Sequence, residues 1–264
     1  MNTTNRDGAL RLLSKVPEVT LYFWIIKIMA TTVGETAADF LNVNLNLGLG
    51  NTSIVMGALL AAALVAQVRA RRYVPSIYWL AVVLISVVGT LITDNLTDHF
   101  GVPLPWTAAI FSVALGATFA AWHASEGTLS IHTIFTRRRE LYYWAAILFT
   151  FALGTAAGDL LAEAMKLGYL HSAMIFGTGI ALATLAYYAF GLNAILAFWV
   201  AYILTRPFGA SLGDLLSQSA SAGGLGLGTV ATSAIFLAVI VGLTAYMTVL
   251  QRHSARLSQR IGSS

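Results

Sequence analysis

One register of residues occurs four times along the chain. Trp24, Trp79, Trp144 and Trp199 are followed ten residues later by Gly34, Gly89, Gly154 and Gly209, and five residues further on by Asp39, Asp94, Asp159 and Asp214. Leu41, Leu96, Leu161 and Leu216 complete each copy. The pattern takes four of the six Trp and four of only eleven acidic residues, so chance is a poor explanation. The Trp spacings of 55, 65 and 55 match the first two units to the last two with an offset of 120, which Gly57 and Gly177 also obey. Thr107-Ala108-Ala109-Ile110-Phe111 and Thr232-Ser233-Ala234-Ile235-Phe236 link the second and fourth units. Two rounds of duplication of one short unit account for this, and whatever one copy folds into, the others fold into as well.

The unit is a pair of apolar helices. Of 264 residues, 58% are apolar and 10% charged, with a mean hydropathy of +0.77. That composition excludes a water-soluble globular protein, a disordered chain and a nucleic-acid-binding module. Apolar runs predict helices at about 21–41, 53–68, 77–97, 105–123, 142–163, 171–189, 193–216 and 229–250, each near the length that a bilayer core requires. The first apolar segment has full length and no small-residue cleavage signature, so it is expected to stay in the protein. The expected division is a single membrane domain over 1–264, with repeats at about 20–72, 73–139, 140–190 and 191–252 and a cytoplasmic tail at 253–264. The absence of Cys removes disulfides and thiolate metal sites.

The basic residues predict orientation. Arg6, Arg11 and Lys15 precede the first helix, Arg69, Arg71 and Arg72 follow the second, Arg137, Arg138 and Arg139 follow the fourth, and Arg252, Arg256 and Arg260 lie in the tail. All twelve fall on one side of an eight-helix chain, against Lys166 alone on the other. The positive-inside rule therefore predicts both termini in the cytoplasm. The sequence pI near 9.5 is mostly this topology signal, with a polybasic patch for lipid headgroups as the alternative.

Two helices per unit make every unit start on the same side, so the four Asp are expected at one depth. Each lies roughly 22 Å beyond its Trp, which puts Trp toward the cytoplasmic interface and Asp toward the outer one. Such an architecture has parallel repeats, unlike inverted-repeat transporters. Glu35 and Asp39, Asp94 and Asp98, and Asp159 and Glu163 are spaced i, i+4, a like-charge arrangement that destabilises a helix. A bound cation, protonation of one member, or pairing with Lys27 and Arg206 would compensate. The fourth unit has Ala210 and Gln218 at the corresponding places, which predicts an asymmetric site. The bland alternative is that the carboxylates reach headgroups or water, Asp98 and Glu163 most easily. Repeated Trp24, Trp79, Trp144 and Trp199 read as repeat-packing residues or interfacial anchors, and repeated Gly as a close-packing position on a different face from Asp, about 140° away on a straight helix.

Arg206 precedes Pro207, so a kinked or locally opened seventh helix is expected, with Arg206 as gate, counter-ion or salt-bridge partner of one of the Asp. Lys27 is the second expected counter-ion or gate residue, with snorkelling to the cytoplasmic interface as the bland alternative. His123, Glu126 and His132 match no metal-site spacing and read as a solvated loop, with a metal or proton-relay role as the alternative. His99 and His171 lie near the carboxylates, and His253 reads as tail. GGLGLG at 223–228 follows no strand and reads as a flexible loop.

With these segments in view, notably VVGTLITDNLTD, EGTLSIHTIFTRRRELYYW, FALGTAAGDL and TRPFGASLGDLL, the chain resembles a bacterial membrane-protein family of four tandem two-helix repeats, each with a characteristic Trp and of unknown function. The resemblance implies an integral protein of the inner membrane and no particular activity. The expected fold is an all-α membrane protein of eight transmembrane helices. The expected function is a transporter or permeation pathway for a small cation, a divalent metal or a proton-coupled substrate. Its site would use Asp39, Asp94, Asp159 and Asp214 as candidate metal ligands, with Glu35, Glu163 and Asp98 beside them. The alternatives are an assembly or sensor protein with a structural polar core, and an intramembrane enzyme acting on lipid. Expected partners are the bilayer, the cation and a possible second copy, without nucleic acid or a certain cofactor.

Overall fold

The computed structural model describes residues 14–261. Arg6 and Arg11 lie outside the described residues, as do 262–264 and the side chains of Arg252, His253, Arg256 and Arg260. Among the described residues there are eight long helices and no strand: α1 Leu21–Asp39, α2 Gly48–Arg69, α3 Pro75–Asp94, α4 Leu104–Glu126, α5 Arg137–Asp159, α6 Gly168–Phe190, α7 Ala194–Ser217 and α8 Thr229–Ile261. Local chemistry sets several of the ends. The Thr20 hydroxyl accepts from the Phe23 amide at 3.4 Å, Thr136 from the Arg139 amide at 3.3 Å, and the Asn193 side chain from the amides of Ile195 and Leu196 at 2.9 and 3.2 Å. Pro75 opens α3, while Gly127 and Gly191 close α4 and α6 in the left-handed conformation. Three boundaries differ from expectation: α2 begins at Gly48, α5 takes in Arg137 to Arg139 as its first turn, and α8 continues to Ile261.

The odd helices form a closed inner ring, with α1 against α3, α3 against α5, α5 against α7 and α7 back against α1. The even helices lie outside. Each packs chiefly on the inner helix of the following repeat: α2 on α3, α4 on α5, α6 on α7, and α8 on α1. The bundle therefore closes on itself, its last helix joined to its first.

The repeated glycines make the ring tight. A Cβ on Gly34 would fall within the Ser86 side chain of α3, one on Gly154 within the Arg206 side chain of α7, and one on Gly209 within the Thr31 side chain of α1. On Gly89 it would stand 2.7 Å from the Phe151 Cβ of α5. Every glycine thus faces the residue three before the glycine of the next inner helix, so the four contacts are equivalent. Hydroxyls use the proximity: Thr32 donates to the Gly209 carbonyl at 3.0 Å and Thr93 to the Ala152 carbonyl at 2.9 Å.

Seven of the eight helices are long and apolar enough to cross a membrane. The helix outside that measure is α1, which carries Lys27, Glu35 and Asp39 within 19 residues. Outer helices expose large apolar side chains such as Ile54, Leu59, Val113, Leu182 and Val241, as helices facing lipid do.

Candidate functional site along the bundle axis

Each inner helix contributes a stripe at i, i+4 spacing, and the four stripes share one register. They read Phe23, Lys27, Thr31, Glu35, Asp39; Tyr78, Val82, Ser86, Thr90, Asp94; Tyr143, Ile147, Phe151, Thr155, Asp159; and Phe198, Tyr202, Arg206, Ala210, Asp214. Stacked, they give five levels of four side chains, aromatic at one end and carboxylate at the other. The levels between are buried almost completely.

Arg206 occupies the middle of the stack with no solvent exposure. Its Nη2 donates to Glu35 Oε2 at 2.8 Å, to Thr155 Oγ1 at 2.7 Å and to the Thr90 hydroxyl, and its Nη1 donates to the Thr31 carbonyl at 3.2 Å. Glu35, Thr90 and Thr155 each follow the repeated glycine of their own helix, and the fourth copy has Ala210 there. The single guanidinium is thereby tied to all three of the other inner helices. Its carboxylate partner is Glu35 and none of the repeated Asp, which corrects the expected salt bridge to an Asp: Arg206 lies eight residues below the Asp level, and its side chain meets the level directly above its own. Pro207 leaves α7 unbroken from Ala194 to Ser217, so the opened helix expected there is absent.

Lys27 is fully buried and does not snorkel. Its Nζ lies 4.4 Å from the ring centroids of both Phe151 and Tyr202 and has no hydrogen-bond acceptor among the described residues. Aromatic faces replace water around the ammonium. The Phe151 ring also lies 5.5 Å from the Arg206 guanidinium carbon, so it stands between the two cations.

Asp39, Asp94, Asp159 and Asp214 form the level above Glu35. Asp214 is the most enclosed, at 8% exposure, and Asp39 accepts from Gln218 Nε2 at 3.3 Å. Among the described residues no three His, Asp or Glu side chains come close enough to share one metal ion, so the four carboxylates are a ring of separate charges rather than a ready ligand set. The second carboxylates do not occupy equivalent places: Glu35 lies one level below the ring, whereas Asp98 and Glu163 lie one turn beyond it and are exposed.

Immediately after the Asp, three repeats continue into a π-helical turn, Phe40–Asn44, Asn95–His99 and Leu160–Ala164. The carbonyls of the two residues following each Asp are capped alike. Phe40 and Leu41 accept from the amides of Leu45 and Leu47, Asn95 and Leu96 from Phe100 and Val102, and Leu160 and Leu161 from Met165 and Leu167. In the fourth repeat the same two carbonyls, of Leu215 and Leu216, accept from Leu225 and Leu227 at 2.7 and 2.9 Å. GGLGLG is thus an ordered cap, folded back by Gly223, Gly226 and Gly228 at positive φ, and this corrects the flexible-loop expectation.

Trp79, Trp144 and Trp199 are buried, and Trp24 partly so. Trp79, Trp144 and Trp199 are therefore internal packing residues, not lipid anchors. The residue before each repeated Trp is aromatic too, giving Phe23, Tyr78, Tyr143 and Phe198 a closed layer in which the Tyr78 and Tyr143 hydroxyls hydrogen-bond. That aromatic-Trp dipeptide is visible in the sequence and marks the end of the stack. Below it the α4–α5 connection covers the ring, with Ile131 and Ile134 buried and the Leu129 carbonyl accepting from Trp199 Nε1 at 3.0 Å. Lys15 is held there rather than in solvent, 2.7 Å from the buried Glu140. Glu126 pairs with Arg139 at 2.6 Å, and His123, His132, His99 and His171 are exposed.

The family model for the Repeat of Unknown Function (DUF347) matches residues 22–73, 77–128, 142–192 and 197–253. No curated protein and no solved structure matches the chain. Each match covers one inner helix and the outer helix after it, so the ring and its stripe of side chains are what the repeat encodes, and the chain belongs to the DUF347 repeat family.

Proposed function

We propose that the protein is a transporter for a small cation in the bacterial inner membrane, with eight transmembrane helices and both termini in the cytoplasm. In that orientation the Asp level opens outward and the aromatic level closes the cytoplasmic end. The observation that carries the reading is the order of charges on one axis: four carboxylates, then Glu35 bonded to Arg206, then Lys27 behind an aromatic ring. An acidic mouth concentrates cations. The guanidinium below it repels them, and its bonds to three helices hold the ring shut. A cation at the Asp level competes with Arg206 for Glu35, and loss of that pair weakens the tie of α7 to α1. Separate carboxylates suit a proton or a hydrated ion better than a stripped metal.

A second reading is favoured by the same bonds, since a guanidinium that joins four helices is also what a purely structural polar core needs. Proteoliposomes loaded with divalent-cation and pH indicators separate the two. The transport reading expects a flux that Asp159→Asn abolishes. Flux of neither protons nor divalent cations in the wild type supports the structural core.

A further inference from the structure

Two clefts open on the flank of the bundle, and they are copies of each other. One, of about 320 Å³, is lined by Leu64, Val65, Val68 and Arg69 of α2 and by Arg137 and Leu141 of α5. The other, of about 400 Å³, lies between α4 and α7 and includes Phe119, His123 and Leu196. Adding 55 to Leu64, Val68 and Leu141 gives Phe119, His123 and Leu196, the same offset that relates the repeated Trp within each half. The repeat therefore makes a groove where an outer helix lies beside the inner helix two repeats on. The two grooves differ in chemistry. The α4–α7 groove is bordered by His123, Asn193 and the loop residues Gly127 to Leu129. The α2–α5 groove carries two arginines.

We infer that the α2–α5 groove binds a phospholipid with an anionic phosphate headgroup. Arg69 is in the last turn of α2 and Arg137 in the first turn of α5, so both stand at the arginine-rich end of the bundle. The aliphatic lining leads away from them in one direction. Val68 and Val65 precede Arg69 by one and four residues and Leu141 follows Arg137 by four, which carries the apolar lining about 6 Å further along both helices, with Val65 and Leu141 exposed. That is the layout of a headgroup seat above an acyl-chain channel. Both arginines are exposed, and neither is paired with a carboxylate among the described residues. The nearby acids are committed, Glu140 to Lys15 and Glu126 to Arg139 and Arg138. Arg71 and Arg72 add positive charge beside the mouth. Guanidinium forks match phosphate oxygens, and basic pockets between membrane helices are where anionic headgroups bind. The inference needs the bundle to lie in a bilayer and is independent of the cation reading.

The test uses the full chain purified in detergent, with thermal unfolding and native mass spectrometry in the presence of phosphatidylglycerol, phosphatidylcholine or inorganic phosphate. Phosphatidylglycerol is expected to raise the unfolding temperature and survive as a bound adduct, while phosphatidylcholine and inorganic phosphate do neither. Arg69→Ala with Arg137→Ala should weaken phosphatidylglycerol binding at least about tenfold, equivalent to 1.4 kcal/mol, whereas His123→Ala in the companion groove should leave it unchanged. Equal effects of the two lipids, reproduction of the shift by inorganic phosphate, or full binding by the double variant would each overturn the inference. If the double variant fails to fold, Arg69→Gln alone decides: reduced affinity supports the site and unchanged affinity removes it.

Discussion

Glu35 of the first repeat and Arg206 of the fourth meet at 2.8 Å on the bundle axis, 171 residues apart in the chain. Removing one partner strands the other charge where water is excluded. Glu35→Gln should therefore lower stability by about 3 kcal/mol or more, while Glu35→Gln combined with Arg206→Met should recover part of the loss. Thermal unfolding of the four proteins in one detergent gives the coupling directly, and additive losses would mean that the two side chains do not depend on each other.

The glycine contacts make a contrast between the inner and the outer helices. Gly89→Ala drives a methyl to 2.7 Å from the Phe151 Cβ and 3.2 Å from the Ala152 amide, and Gly34→Ala meets the Ser86 side chain and backbone. Each should cost about 1–3 kcal/mol through overpacking. Gly57→Ala and Gly116→Ala on the outer helices meet nothing within 4 Å and should be neutral or slightly stabilising. Comparable losses at inner and outer sites in thermal unfolding would contradict the close ring.

The periodic Trp, Gly and Asp made the inner helices legible from sequence, because each copy reports the others' registers. What could not be read was the order of neighbours around the ring. Glu35 and Arg206 meet only because α7 returns to α1, and no local pattern encodes that closure. Lys27 looked close enough to an interface to snorkel, and only the assembled rings of Phe151 and Tyr202 enclose it. The 140° between Gly and Asp correctly assigned them to different faces. The residue that shares the Asp face lies one after the glycine, and it was Glu, Thr, Thr and Ala in the four copies, too varied to register as a motif.

Lys27 has no hydrogen-bond acceptor among the described residues, where its amino group is held by aromatic faces. Lys27→Met keeps the length and removes the buried charge. Thermal stability should stay the same or rise by about 1 kcal/mol, because a buried cation without an acceptor contributes less than an apolar side chain of the same shape. A large loss would reveal a bond the resting bundle makes through this nitrogen.

Among the acidic residues, enclosure ranks the expected effects on flux. Asp159→Asn and Asp214→Asn should each reduce cation uptake into proteoliposomes at least about tenfold, a change of 1.4 kcal/mol, with the protein still folded. Asp98 is exposed beyond the ring, so Asp98→Asn should have little effect. Equal losses at Asp98 and Asp214 would detach the activity from the axis.

Topology offers an independent check. Reporters fused after Arg72 and Arg139 should read cytoplasmic, and one inserted between 44 and 48 should read external. The reverse result would place the carboxylate ring on the cytoplasmic side and turn the proposed direction of access around.

Closure of the last helix onto the first sets a schedule for biogenesis. The helix carrying Lys27 and Glu35 is made before the other seven, whereas Phe151 comes with the third repeat, Tyr202 and Arg206 with the fourth, and α8, which packs on α1, follows even those. Until the ribosome has finished the fourth repeat, α1 holds an ammonium and a carboxylate without their native surroundings. It is also the one long helix among the described residues that falls outside the length and apolarity of a membrane span, at the moment when it has no neighbours to shield it. The native surroundings of the earliest segment thus wait on the latest one, and a chain stopped after the third repeat would be left with an open ring and an unpaired Glu35 for quality control to find.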